Sequence, residues 1–111
     1  MRRWPAPNEK PLHWIGPAKR DLLGFPARVV RAMGYDLGVV QHGKQPPGAK
    51  PSGTYRAVYA VQFAKAIYVL HAFQKKSPTG IRTSRKDIAL IGQRLRAAKQ
   101  DYEARYGKEE D

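Results

Sequence analysis

Residues 54–76, TYRAVYAVQFAKAIYVLHAFQKK, decide the fold of this chain. Two runs rich in Tyr, Val, Ile and Phe, Thr54–Gln62 and Ile67–Gln74, flank the short segment Phe63–Ala66. Aromatic and β-branched residues are enriched in strands, and two such runs joined by a short segment are typical of a β-hairpin. The sequence therefore predicts one hairpin at the centre of the protein.

Positively charged residues lie within this hairpin and at its end. Side chains alternate along a strand, so Arg56 is predicted on the same face as Val58 and Ala60, where it is a charge in an apolar surface. The second run contains His71 and is followed by the pair Lys75–Lys76. Cations beside aromatic residues on a sheet suggest contacts with the phosphates and bases of a nucleic acid.

Length and charge narrow the class of protein. The chain has 111 residues, which suits a single domain. We expect a flexible arm over residues 1–10, one folded domain over 11–106 and an acidic tail over 107–111. The formal net charge is +12 at pH 7. Such an excess favours a polyanionic partner, most commonly nucleic acid, and the alternative is a basic surface that is merely solvated.

The composition also removes several kinds of site from consideration. The chain has no cysteine, so it has neither disulfides nor thiolate metal sites, and its three histidines, His13, His42 and His71, lack metal-ligand spacing. We therefore expect no metal and no other cofactor. No apolar run approaches the roughly 18 residues of a membrane span, and no apolar signal core follows residues 1–5. The cytoplasm is the expected location.

The remaining segments predict an α+β fold. Leu12–Ile15 is a candidate strand, and helices are predicted over Ala18–Leu23 and Ala27–Gln41. A last helix is predicted to open within Arg82–Asp87, with Thr83 or Ser84 as its N-cap. Apolar residues recur at helical spacing in two of these helices, at Val30, Met33, Leu37 and Val40 and at Ile88, Ile91, Leu95, Ala98 and Tyr102.

With these elements and their motifs, the chain resembles the RelE/ParE toxin superfamily, and within it the HigB-like, phage-derived branch. The resemblance runs from about residue 10 to residue 98 and includes KPLHWIG, AKRDLL, TYRAVY and YVLHAFQKK. It implies a small fold in which a short twisted antiparallel sheet is packed by two N-terminal helices and one C-terminal helix. It also implies the toxin of a type II toxin–antitoxin pair, a metal-independent endoribonuclease that cuts mRNA, often on the ribosome.

One departure from the family pattern concerns the sheet. Members of the family have a further strand between the second helix and the hairpin, whereas here Pro51-Ser52-Gly53 leads directly into Thr54. The resemblance therefore implies a narrower sheet and an open edge along Thr54–Gln62. A shortened, inactive copy of such a toxin is one interpretation.

The candidate catalytic residues are Arg56, Lys76 and His71. Cleavage without a metal needs attack by a ribose 2′-hydroxyl, stabilisation of the phosphorane charge and proton transfer. Arg56 is the best charge stabiliser because a guanidinium binds phosphate oxygens bidentately, and the resemblance places Arg56 and Lys76 at cleft positions. His71 is the candidate general acid or base, and a satisfied core histidine is the alternative. We expect Arg56 to share a face with Lys76 and His71 to lie on the other face.

Further residues are candidates for RNA binding. One of them is aromatic and suits stacking on a base, as do Tyr55 and Tyr68, although sheet packing is the better default for at least two of these three tyrosines. The others form a basic cluster at the end of the hairpin and the start of the last helix. The predicted RNA-binding residues are Lys75, Tyr59, Arg82, Arg85 and Lys86. The basic residues further along the last helix, Arg94, Arg96 and Lys99, are interpreted as a solvated face.

Three functions are compatible with this sequence. The first is the mRNA-cleaving toxin, and the second is a non-catalytic or inactive homologue that binds nucleic acid. The third is a gyrase poison like ParE, which has the same fold and needs no general base. The expected partners are mRNA, the ribosome and a cognate antitoxin with a helix-turn-helix part, and no membrane partner is expected.

Overall fold

A computed structural model describes residues 9–44, 53–75 and 83–108. It confirms the predicted α+β class, with three helices and one sheet in those residues. The elements follow the predicted order and are β1 (Leu12–Trp14), α1 (Ala18–Leu23), α2 (Ala27–Gln41), β2 (Tyr55–Ala60), β3 (Ile67–Gln74) and α3 (Arg85–Tyr106). Most of the proline-rich loop before β2 lies outside the described residues, as do the turn after β3 and the predicted arm up to residue 8.

The sheet has the strand order β1-β3-β2 and is mixed. Strand β2 pairs antiparallel with β3, with Tyr55 opposite Gln74, which confirms the hairpin. Strand β1 pairs parallel with β3, with Leu12 opposite Ile67. The expectation of a wholly antiparallel sheet is therefore wrong for β1. The helices α1 and α2 carry the chain from β1 across the sheet to the far side of β3, so β1 and β3 can run in the same direction.

A bulge in β3 changes which residues face each layer. Val58 lies opposite His71, but the next residue of β2, Tyr59, lies opposite Val69. Leu70 is thus the extra residue of β3, and two neighbouring residues can lie on one face at such a point. Leu70 and His71 both lie on the face covered by α3, whereas Val69 packs on the other face.

The core forms two layers, one on each side of the sheet. Helices α1 and α2 cover one face with the cluster Ala18, Leu22, Val29, Met33, Leu37, Val69 and Ala72. Helix α3 covers the other face with the cluster Ala60, Phe63, Ala66, Tyr68, Leu70, Ala98 and Tyr102. Because β3 contributes to both clusters, its residues from Ile67 to Ala72 are all buried, which explains its continuous apolar sequence.

The predicted helix bounds agree closely with the structure. Helix α3 begins after Ser84, whose Oγ accepts a hydrogen bond from the Asp87 N–H at 3.1 Å, so the predicted N-cap is confirmed. Gly107, with a φ of 85°, ends it. The predicted apolar stripe of α3 included Ile88, and this part of the prediction is wrong, because Ile88 is 57% exposed. In the first turn of α3, the side chain that contacts the sheet is that of Asp87.

Three further features are the edge of the sheet, the end of the predicted arm and the length of the helices. Strand β2 is an edge strand, and its outer side is not paired with any strand in the described part of the chain. The end of the predicted arm is fixed to the domain, since the Lys10 N–H donates to the Gln41 carbonyl at 2.8 Å and Glu9 is buried. None of the described helices is long and apolar enough to cross a membrane.

Tyr102 offers a test of the α3 layer. Its side chain is 1% exposed and stacks on Phe63 with ring centroids 4.7 Å apart. We expect Tyr102→Ala to lower the free energy of unfolding by about 3–5 kcal/mol, as large aromatic truncations in cores do, measured by urea denaturation. Tyr35→Ala is the control, because Tyr35 is 64% exposed and its loss should cost less than about 0.5 kcal/mol. Similar costs for both variants would contradict this packing.

Candidate functional site

Arg56 lies at the start of the edge strand β2, opposite Phe73. Its Nη1 donates to the carbonyl oxygens of Gly53 and Tyr55, each at 2.8 Å. These bonds fix the guanidinium against the backbone while its Nε and Nη2 donors make no bond to the described residues. A guanidinium held in this way can offer two parallel donors to a phosphate.

His71 lies on the same face but is enclosed. It is 6% exposed, and its ring stacks on that of Phe73, with the ring centroids 4.9 Å apart. Its Nε2 is 2.8 Å from Asp87 Oδ1, and its Nδ1 is 2.9 Å from Arg94 Nη1. A guanidinium can only donate, so Nδ1 accepts and the ring proton lies on Nε2, which donates to Asp87. Both ring nitrogens are therefore occupied by α3.

Arg94 joins α3 to the sheet at a second point. The same Nη1 donates to the Leu70 carbonyl at 3.1 Å. The interpretation of Arg94 as part of a solvated face is therefore wrong. The sequence did contain a signal for this contact, because Asp87 and Arg94 are seven residues apart, two turns of a helix, and so lie on one face.

The Asp87 carboxylate is held by two polar side chains, those of His71 and Ser84. His71 donates to Oδ1, while the Ser84 hydroxyl donates to Oδ2 at 2.7 Å and accepts from the Asp87 N–H. The hydrogen bonds from His71 and Ser84 stabilise the charged carboxylate, so they hold the pKa of Asp87 below its ordinary value. The bond from His71 has the larger effect. The predicted cap residue Asp87 thus also orients His71.

The register corrects the expected arrangement of the catalytic candidates. Arg56 lies opposite Phe73 and Val58 lies opposite His71, so Arg56 and His71 share one face of the hairpin. The expectation that His71 lies on the face away from Arg56 is therefore wrong. The expected pairing assumed a register in which Arg56 matched Lys76. Lys76 lies outside the described residues, as does Arg82.

The remaining predicted RNA-binding residues fall into two groups. Lys75 follows β3, and its N–H donates to the Thr54 carbonyl at 2.8 Å, while Arg85 and Lys86 are exposed in the first turn of α3. Tyr59 lies on the opposite face of the sheet and packs against the cluster of α1 and α2. Burial raises the pKa of Tyr59, and the nearby carboxylate of Asp36 raises it further. The structure does not bring Tyr59 together with Arg56.

A second polar cluster lies at the other end of α3 and was not predicted. The buried Tyr68 hydroxyl donates to Asp101 at 2.6 Å, and Arg105 Nε binds the same oxygen at 2.7 Å. His13 Nε2 is 2.8 Å from the Tyr106 hydroxyl. Burial, followed by the charge of Arg105, lowers the pKa of His13. These contacts link β1 and β3 to the last turns of α3.

Comparison with known families gives one match, which falls on the hairpin and the start of α3. Residues 49–96 match the model of a family described as phage-derived protein Gp49-like. This match covers β2, β3 and the first half of α3, which is less than half of the chain. The Gp49-like family is grouped with RelE/HigB-like toxins. No curated protein and no solved structure matches the chain.

Arg94 allows the link between α3 and the sheet to be tested. We expect Arg94→Ala to lower the free energy of unfolding by about 1–3 kcal/mol, because it leaves the buried Nδ1 of His71 without a donor. Arg96→Ala is a matched control that removes the same charge from an exposed position of the same helix. Equal stabilities of the two variants in urea denaturation would show that the Arg94–His71 contact contributes nothing.

The lowered pKa of Asp87 predicts a pH dependence. A carboxyl whose folded pKa is depressed contributes stability above its unfolded pKa, and this contribution is lost as the pH falls through the folded pKa. Asp87→Asn should therefore be less stable than the wild type at pH 7, and the difference should shrink between about pH 5 and pH 2. Asp21→Asn, which removes an exposed ion pair with Arg20, is the control. If the difference in free energy of unfolding between the wild type and Asp87→Asn stayed constant as the pH fell, this assignment would be overturned.

Proposed function

We propose that this protein is the toxin of a type II toxin–antitoxin system and acts as a metal-independent endoribonuclease on mRNA. The main support is the match to the Gp49-like family, because residues 49–96 include Arg56, His71, Lys75, Arg85 and Lys86. The net charge of +12 supports a nucleic-acid substrate independently of that match.

In this proposal Arg56 stabilises the charge that develops on the phosphate. The ribose 2′-oxygen forms a bond to phosphorus while the bond to the 5′-oxygen breaks, so extra negative charge accumulates on the non-bridging oxygens. The two backbone contacts of Nη1 hold the guanidinium in place before the substrate arrives, and preorganised donors of this kind act mainly on the transition state. Lys75 and Lys76 are proposed to bind neighbouring phosphates.

His71 is better explained as a structural residue than as the general base. Its two ring nitrogens are both bonded to α3, and its side chain is buried. In this arrangement it can neither accept a proton from a ribose nor donate one to a leaving group. The 2′-hydroxyl proton is then transferred to water, and the 5′-oxygen receives a proton from water. The candidate role of His71 becomes the orientation of α3.

The enclosure of His71 also favours a second candidate function. A homologue that binds RNA without cutting it needs the basic surface but no group for proton transfer. Since the candidate general base is enclosed by Asp87 and Arg94, this non-catalytic interpretation is the principal alternative. The gyrase poison is a third outcome, which the experiment below separates from the other two.

The proposed partner is a cognate antitoxin that covers the hairpin. Strand β2 has an unpaired outer side within the described residues, and the chain carries a large excess of positive charge. An acidic, amphipathic segment is complementary to such a surface and would exclude RNA from Arg56. Co-expression with the product of the adjacent open reading frame, with an affinity tag on one partner, tests this. Relief of growth arrest without co-purification would argue against direct occlusion.

The proposed activity can be tested by mapping transcript ends after induction in a bacterium. We expect the wild type to create new ends within messages and Arg56→Ala to reduce their number by about 10²- to 10³-fold, the usual effect of removing a preorganised transition-state donor. Arg28→Ala is the matched control, because it removes an equal charge from an exposed site on α2 and should cleave like the wild type.

The other outcomes identify the alternatives. Growth arrest with intact transcripts and accumulating DNA damage would indicate a gyrase poison. RNA binding without new ends would indicate the non-catalytic homologue. Undiminished cleavage by a folded Arg56→Ala protein would exclude Arg56 as the charge stabiliser.

A further inference from the structure

The two aspartates of α3 and several of its cations lie on different sides of the helix. Its aspartates, Asp87 and Asp101, are bonded to His71 and Ser84 and to Tyr68 and Arg105, on the side of the helix that packs on the sheet. Three exposed cations, Arg85, Arg96 and Lys99, make no hydrogen bond or ion pair to the described residues. None of these three side chains is bonded to an acid among the described residues, so the outer side of α3 carries three positive charges without an ion-pair partner there.

These cations form one row. The residues Arg85, Ile88, Gly92, Arg96 and Lys99 follow each other at steps of three and four, so they lie along a single face of the helix. The row is about 20 Å long from the rise of an α-helix. It contains no acid, and the half-buried Glu103 marks its end one turn after Lys99.

The row lies apart from Arg56 and His71, and Arg85 is its one member that was also a predicted RNA-binding residue. The stripe of α3 that faces the sheet is made of Asp87, Ile91, Arg94, Ala98 and Tyr102, and the row lies on the other side of the helix. Ile88, within the row, is 57% exposed. The space beside Gly92 is also open, because a side-chain Cβ added there would lie near only the Arg96 guanidinium, at 3.9 Å. Nothing in the part of the chain that the structure describes covers this face.

We propose that the outer face of α3 is a docking surface for the backbone of double-stranded RNA, separate from the substrate strand at Arg56. This face suits a polyanion better than a protein helix. A helix partner needs several apolar anchors, and the row offers one, Ile88. Three unpaired cations without an acid suit phosphates. The helix fixes the spacing of the residues that carry these cations, so the row suits a duplex, whose phosphates also have a fixed spacing. The choice of RNA rests on the proposed function, whereas the charge row does not.

The test compares two triple variants that remove the same charge. Arg85→Gln/Arg96→Gln/Lys99→Gln removes the row, and Lys19→Gln/Arg28→Gln/Arg31→Gln removes three exposed cations from α1 and α2 on the other side of the sheet. The probe is a 2′-O-methyl RNA duplex of about 20 base pairs, whose blocked 2′-hydroxyls prevent cleavage. Binding is measured by fluorescence anisotropy from about 50 to 200 mM salt, with circular dichroism to confirm folding.

The row variant should bind the duplex at least about tenfold more weakly, and the slope of log K against log salt should fall by two to three units, about one for each lost phosphate contact. The control variant should change affinity less than about twofold. Equal losses in the two variants would overturn the proposal, because only total charge would then matter. An unchanged affinity of the row variant, or a DNA duplex that binds equally well with the same dependence on the row, would also overturn it.

This test can fail independently of the proposed function. The blocked duplex reports binding alone, so a protein without ribonuclease activity still gives a result. Arg56→Ala should leave duplex affinity within about twofold, because Arg56 is assigned to the substrate strand and not to the α3 face. A loss of duplex affinity in Arg56→Ala equal to that of the row variant would show that there is one binding surface instead of two.

Discussion

The bulge at Leu70 is the local constraint on which the two layers of this protein depend. Without an extra residue in β3, strict alternation would turn either Leu70 or His71 away from α3. With it, Leu70 packs in the aromatic cluster while His71 reaches Asp87 and Arg94. The same shift leaves Val69 and Ala72 for the cluster under α1 and α2. One irregular residue thus allows an apolar core and a polar link to form side by side on one strand.

Helix α3 is attached by different interactions at its two ends. Its buried residues are Ala98 and Tyr102, both in the second half, where they pack against Phe63 and Tyr68. In its first half, the half-buried Ile91 packs against the same cluster, and Asp87 and Arg94 make polar contacts with His71. Apolar burial is not directional, whereas these hydrogen bonds require specific geometry and charge states. The attachment of the first half of α3 is therefore sensitive to pH through Asp87, and that of the second half through Asp101.

Much of the fold could be predicted because the local signals agree with the tertiary structure. The bounds of α1 and α2, the hairpin and the Ser84 cap follow from apolar spacing, strand propensity and capping chemistry. The parallel pairing of β1 could not be predicted, since three residues carry no directional signal. The site was harder, because the register depends on the bulge, and a bulge caused by packing leaves no local mark in YVLHAF. Arg94 was misinterpreted for a related reason: its partner, His71, is 23 residues away in sequence.

The edge position of Arg56 has a consequence for behaviour at high concentration. An unpaired strand edge presents backbone groups to which an edge strand of another copy can bond, and this is a common route to aggregation. Arg56 donates to the Tyr55 carbonyl on this strand and places a positive charge beside it, so pairing between two copies would bring like charges together and would displace that bond. The residue proposed to bind phosphate therefore also disfavours edge-to-edge pairing of two hairpins. This effect of Arg56 on the edge strand does not depend on ribonuclease activity, so it would persist in a homologue that binds RNA without cutting it.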